Sequence, residues 1–138
     1  MRFLSMECDA DNLSPSTLAF VGDGVYELLV REYLACEANR PAKELNIEKV
    51  KRVSAPAQAE GFKRIESLLT EKELEIFKRG RNAHTSRAPK NATHAQYHYA
   101  TGLETLFGWL YLNGNHSRAV SLFKIIFSDE NLDNKVSI

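Results

Sequence analysis

The chain has 138 residues, of which 43% are hydrophobic and 26% charged. That is enough for one packed core, and it excludes disordered, collagen-like and disulfide-scaffold classes. Lys and Arg together number 18 and Asp and Glu 18, a formal net charge of +0, which excludes a uniformly basic nucleic-acid binder but not a segregated distribution of charge.

In chain order, the start carries Glu7, Asp9 and Asp11 and lacks the basic-then-apolar form of a secretory signal. No apolar run approaches the roughly twenty residues that span a bilayer. The expectation is a cytoplasmic protein with no membrane partner. Cys8 and Cys36 are then free thiols, Cys36 packed in a helix and Cys8 in a mobile end.

Ser14-Pro15 has the form of an N-cap with Pro at the first helical position, and it predicts a helix to about Cys36. Pro41 interrupts, and a second helix follows over about Ala42 to Val53. Ser54-Ala55-Pro56 opens a third, ending near Leu69. Thr70 to Glu73 has capping-box spacing and starts a helix to about Arg79. Gly80 to Ala92 lacks apolar periodicity and reads as a loop. Thr93 to Gln96 repeats the capping box and opens a helix to about Leu112. Asn113-Gly114-Asn115 is a turn, and Ser117 to Phe127 forms the last helix. Strand alternation is sustained nowhere, so the predicted class is all-α. Residues 1–127 form a single domain, and the polar tail 128–138 is expected to fray.

Two carboxylates stand in apolar helices. Asp23 lies within Leu18 to Val30, where Val21, Val25, Leu28 and Leu29 make one broad apolar face and Asp23 points the other way. That segment is apolar almost all round, which predicts burial. Gly22 and Gly24 weaken the helix by roughly 1 kcal/mol each and leave the surroundings of Asp23 open to something large. Glu104, the only carboxylate between Glu75 and Asp129, repeats the pattern. An ionised carboxylate in such a place is costly unless paired, hydrogen-bonded or coordinated. Two of them fit a shared hard cation of the Mg²⁺ kind. An Arg partner or a hydroxyl cap for each is the competing interpretation. His94 and His98 have helical spacing but no third-ligand motif, so they read as part-exposed residues or RNA contacts.

Charge is unevenly distributed. Arg40 to Ala92 holds 13 Lys or Arg against 7 Glu, leaving the rest acidic. Lys78 to Lys90 has five cations and no acid. On an exposed loop, Lys78, Arg79, Arg81, Arg87 and Lys90 suit phosphate contacts. Asn82, Thr85 and Ser86 could hydrogen-bond there, and Gly80 could allow close backbone approach. A solvated surface loop is the plainer alternative.

Phe20-Val21-Gly22-Asp23-Gly24-Val25-Tyr26-Glu27-Leu28 resembles the FLGDAVLEL-type signature of the ribonuclease III catalytic domain. The stretch Ala100 to Leu112 (ATGLETLFGWLYL) resembles that family's second signature, ADxxEALLGAIYLD. Lys78 to Ala83 and Pro89-Lys90-Asn91 resemble the small bacterial branch, which lacks a double-stranded-RNA-binding domain. The resemblance covers about residues 14–127. It implies the helical ribonuclease III endonuclease fold, homodimeric, cleaving double-stranded RNA with Mg²⁺ (Mn²⁺ substituting), leaving 3′-hydroxyl and 5′-phosphate ends. It also implies a role in maturing the large-subunit (23S) ribosomal RNA precursor. Asp23 and Glu104 match the catalytic, metal-holding acids. Lys78, Arg79, Arg81, Asn82, Arg87 and Lys90 would grip RNA. Ala19 and Thr101 stand where the larger enzymes have carboxylates, as in the small branch, and Glu27 is a further acid one turn from Asp23. The competing interpretation is a non-catalytic RNA-binding module that keeps the fold.

Overall fold

A computed structural model of the chain describes residues 2–83 and 92–127. The described residues form six α-helices and two short 3₁₀ turns, with no strand among them. The helices are α1 (Pro15–Glu37), α2 (Ala42–Val53), α3 (Ala55–Ile65), α4 (Glu71–Arg81), α5 (His94–Leu112) and α6 (His116–Ile126). The 3₁₀ turns are Ala10–Asn12, ahead of α1, and Glu66–Leu68, which replaces the expected last turn of the third helix.

The local chemistry explains the boundaries. Ser14 Oγ accepts from the Thr17 amide at 3.2 Å, with Pro15 opening α1. Thr70 with Glu73, and Thr93 with Gln96, form complete capping boxes. Asn115 caps α6, and Gly114 takes a φ of 76° in the preceding turn, a conformation glycine adopts without strain. The basic stretch begins differently from expectation. Helix α4 continues past the expected end near Arg79 to Arg81, so Gly80 and Arg81 are helical rather than in a loop, and Lys78 and Arg79 are presented on a helix.

Helix α5 is the hub, packed against α1, α3, α4 and α6. Around it the core gathers Tyr26, Val30 and Leu34 from α1, Phe62 and Ile65 from α3, and Phe77 from α4. Phe62 and Phe77 stack with centroids 3.7 Å apart, and Tyr26 meets Phe107 edge-on at 5.3 Å. Glu73 links α4 to α6 through two 2.8 Å hydrogen bonds from Arg118. Burial alone would push the Glu73 carboxyl up, yet Arg118 and the Thr70 amide hold it below its ordinary value.

The buried face of α1 is not the one that apolar content indicates. Leu18, Gly22, Tyr26, Val30 and Leu34, spaced by four residues, face the core. Val21, Val25, Leu28 and Leu29 instead line a surface groove of about 440 Å³, and Phe20 is 81% exposed. Cys36 is likewise exposed rather than packed, and both cysteines are free.

Where α1 crosses α5 the two backbones touch. A Cβ on Gly22 would lie 1.6 Å from the Glu104 carbonyl oxygen, and one on Gly108 would lie 1.9 Å from that of Leu18. Gly22 is therefore required by packing, whereas a Cβ on Gly24 would meet nothing within 4 Å among the described residues. Substituting Gly22→Ala or Gly108→Ala should cost ~3 kcal/mol or more by denaturant unfolding, because the obstacle is backbone. Gly24→Ala should be tolerated, gaining up to ~1 kcal/mol of helix propensity.

Candidate active site

The crossing at Gly22 and Gly108 brings the next residue of α1, Asp23, beside Glu104 of α5. Asp23 is exposed, contrary to the burial expected of its apolar helix, and Glu104 is only partly exposed. The Asp23 carboxyl lies within hydrogen-bonding reach of Glu104 and repels it as a like charge. Burial first, then Asp23, pushes the Glu104 carboxyl from 4.5 up to about 8.

Sequence reasoning missed the third member of the site. Gln58 of α3 is buried, and its Nε2 donates to Glu104 Oε2 at 3.5 Å. This bond favours the ionised carboxylate and opposes the upward shift. Gln58 Oε1 is buried with no hydrogen-bond partner among the described residues. A signal was present: Gln58, Phe62 and Ile65 have the spacing of one helical face, and the last two are core residues.

Neither of the two positions without carboxylates supplies a metal-holding group in its place. Thr101 donates its hydroxyl to the Tyr97 carbonyl at 3.1 Å, and Ala19 has no donor atom in its side chain. Glu27 turns to α2, with Arg31 Nε at 2.9 Å and Lys49 Nζ at 3.6 Å. No group of three or more His, Cys, Asp or Glu able to hold a metal occurs among the described residues. The donor set is thus two carboxylates with an amide oxygen nearby. Hard oxygen donors, a like-charge repulsion that a cation would relieve and an orphaned carbonyl oxygen all fit a divalent cation that keeps most of its waters. His94 and His98 stack at 6.4 Å on α5, without a third ligand among the described residues.

The cationic candidates lie on the last turn of α4. Lys78 and Asn82 are exposed there, while Arg79 and Arg81 are partly buried. Arg79 Nη2 donates to the Leu13 carbonyl at 3.4 Å, and Arg81 Nε to Asn82 Oδ1 at 3.1 Å. Gly80 does not offer backbone to a ligand: it is buried, and a Cβ there would sit 2.2 Å from Thr105 Oγ1. Arg87 and Lys90, with Thr85 and Ser86, lie outside the described residues.

A family model described as ribonuclease III domain matches residues 16–115. The chain is 45% identical over 114 residues to the Mini-ribonuclease 3 of Thermoanaerobacter sp. (strain X514), covering 83% of this chain and 80% of that protein. With the Mini-ribonuclease 3 of Clostridium tetani (strain Massachusetts / E88) it shares 34% identity, over 87% of this chain and 80% of that one. An X-ray crystal structure of a protein from Fusobacterium nucleatum matches with a TM-score of 0.78 at 30% identity, over 88% of this chain and 97% of that one. The chain belongs to the ribonuclease III family and is an endoribonuclease. Within that family its similarity is to the Mini-ribonuclease 3 proteins.

The Glu104 shift has a stability consequence in metal-free protein. The fold retains the Glu104 proton up to about pH 8, whereas the unfolded chain releases it near 4.5. Between those values the folded state binds more protons, so stability falls as pH rises, and the loss is complete above the folded value. Glu104→Gln should therefore raise Tm over wild type by roughly 3 °C or more at alkaline pH, with the gain shrinking towards acid pH. Asp23→Asn should lower the Glu104 midpoint by ~1 unit, read by carboxyl carbon NMR.

Proposed function

We propose that this endoribonuclease cuts double-stranded RNA at the Asp23–Glu104 pair with Mg²⁺. The observation that carries this is the placement of two carboxyls at one helix crossing, where Glu104 is pushed up to about 8 by burial and by Asp23. Such a pair is under electrostatic stress that a divalent cation relieves. Asp23 and Glu104 would hold the metal, with Mn²⁺ able to replace it, and Gln58 Nε2 orients Glu104 Oε2. The Glu104 carboxyl would hold the metal in its ionised form, so metal binding would be linked to release of its proton. Bound Mg²⁺ would supply Lewis acidity against the scissile phosphate. Because Asp23 is exposed, a bulky substrate can reach the pair from solvent.

Lys78, Arg79, Arg81 and Asn82 at the end of α4, with Arg87 and Lys90 beyond it, would grip backbone phosphates. Recognition of a duplex by such groups reads shape and 2′-hydroxyls rather than bases, which A-form RNA hides in its deep groove. We infer a homodimer. Phe20 and Leu28 are 81% and 50% exposed on α1, which also lends Val21 and Val25 to an apolar groove shared with Val120 of α6. An exposed apolar face of this kind is what a two-fold dimer covers. The cellular substrate we propose is the 23S ribosomal RNA precursor, in the cytoplasm, on the strength of the likeness to the small branch of the family. No helix of the described residues is long and apolar enough to cross a membrane.

The test is cleavage of a long RNA duplex and of ribosomal RNA precursor, with the new ends mapped. Wild type should cut both with Mg²⁺. Asp23→Asn and Glu104→Gln should each lower the rate by at least about a thousandfold while duplex binding survives. Intact duplex across Mg²⁺ and Mn²⁺ titrations would leave a non-catalytic RNA-binding module instead.

A further inference from the structure

Tyr26, three residues past Asp23 on α1, lines a second cavity of about 220 Å³. Its walls include Tyr26, Lys51, Arg52, Glu60, Arg64 and Phe127. Three cations thus meet one acid, and that acid is engaged elsewhere: Glu60 Oε2 pairs with Lys63 Nζ at 3.5 Å on the surface. Lys51 reaches Glu48 at 3.2 Å with its side chain 65% exposed, so it can swing.

Arg52 is the distinctive member. Its guanidinium lies 4.9 Å from the Phe127 ring centroid and 5.5 Å from that of Tyr33, a placement that fixes the charge without using its hydrogen bonds. Arg52 Nε is buried and has no hydrogen-bond partner among the described residues. No ion pair among the described residues involves Arg52. Arg64 spends one N–H on the Ile126 carbonyl at 2.6 Å, which anchors it at the rim and leaves its remaining donors available. A planar, always-charged donor fork with unused N–H groups is what phosphate oxygens take.

The position of the cavity matters as much as its charge. Tyr26 follows Asp23 by three residues on α1, about 4.5 Å of helical rise. Tyr26 lines the cavity, and its phenol feels both sides: burial drives it upwards, Arg52 and Arg64 oppose this and Glu104 adds to it. Gln58, which bonds Glu104, is the chain neighbour of the wall residue Ala57 on α3.

We propose that the Arg52–Arg64 cavity is a phosphate seat for the RNA strand being cut, holding a backbone phosphate that flanks the scissile one. This rests on the double-stranded RNA reading above and assigns a contact outside the basic segment at the end of α4. The seat fixes the register in which the strand crosses Asp23 and Glu104.

The test is duplex RNA binding without divalent metal, as a function of salt, for wild type, Arg52→Gln and Arg64→Gln. Lys72→Gln, an exposed cation of α4 outside the cavity, is the control. Each cavity variant should bind about tenfold more weakly and lose ~1 from the salt slope, with the control unchanged. Arg64 is exposed, so its variant keeps the test valid if Arg52→Gln unfolds. In wild type, the Arg52 Nε–H NMR signal should shift on adding duplex. If wild type cuts duplex RNA with Mg²⁺ while Arg64→Gln binds with an unchanged slope, the seat is refuted and the nuclease reading stands. If wild type neither binds nor cuts duplex, that reading fails, and the seat fails with it. A shift of Arg52 with inorganic phosphate alone, and none with duplex, would assign the cavity to a free anion and overturn the proposal.

Discussion

The contact between the backbones of α1 and α5 at Gly22 and Gly108 is the constraint on which the site depends. Each glycine lies against a carbonyl oxygen of the other helix, so neither helix can withdraw by a methyl's breadth without losing the crossing. Asp23 follows Gly22 directly, and Glu104 is the residue whose carbonyl Gly22 touches. Two side chains remote in sequence are thereby held together by main chain, not by flexible side-chain contacts. The same device fixes α4 to α5, where Gly80 meets Thr105 and Gly102 meets Phe77. The hub helix thus carries small residues towards α1 and α4 and large ones into the core.

That arrangement carries an energetic cost at the site and recovers it elsewhere. Glu104 is partly desolvated against a neighbouring carboxyl, an unfavourable environment for its charge. The surrounding helices over-determine the position through Phe62–Phe77 stacking, the Tyr26–Phe107 contact and the Arg118–Glu73 pair. Electrostatic strain of this kind persists only where packing elsewhere is well satisfied. Charge is divided to match: carboxyls occupy the crossing, and cations occupy the end of α4 and the cavity lined by Tyr26. The chain's zero net charge is the sum of these separated parts.

Helix boundaries were legible in the sequence because caps are local. Ser14, Thr70 and Thr93 act on amides three residues away, and the reciprocal Glu73 and Gln96 appear at the spacing the motif requires. The orientation of α1 was not legible. A helix apolar almost all round gives periodicity no polar side, so the choice between Tyr26 and Leu28 as core rests on what α5 presents. The two glycines flanking Asp23 look alike in sequence, yet only Gly22 meets another backbone. Gly80 resembles loop punctuation, but tertiary packing against Thr105 keeps it in a helix. Asp23 and Glu104 stood out because a lone acid in an apolar helix is conspicuous. Gln58 did not, since an uncharged amide carries little penalty that a sequence reveals.

If the crossing makes Asp23 and Glu104 one metal-holding unit, their contributions cannot be independent. A double-mutant cycle on Mn²⁺ affinity, read by electron paramagnetic resonance, tests this most directly. Asp23→Asn and Glu104→Gln should each lose most of the affinity, and the double variant should bind about as weakly as the worse single one. Losses that simply add, or singles that bind Mn²⁺ as wild type does, would contradict the account.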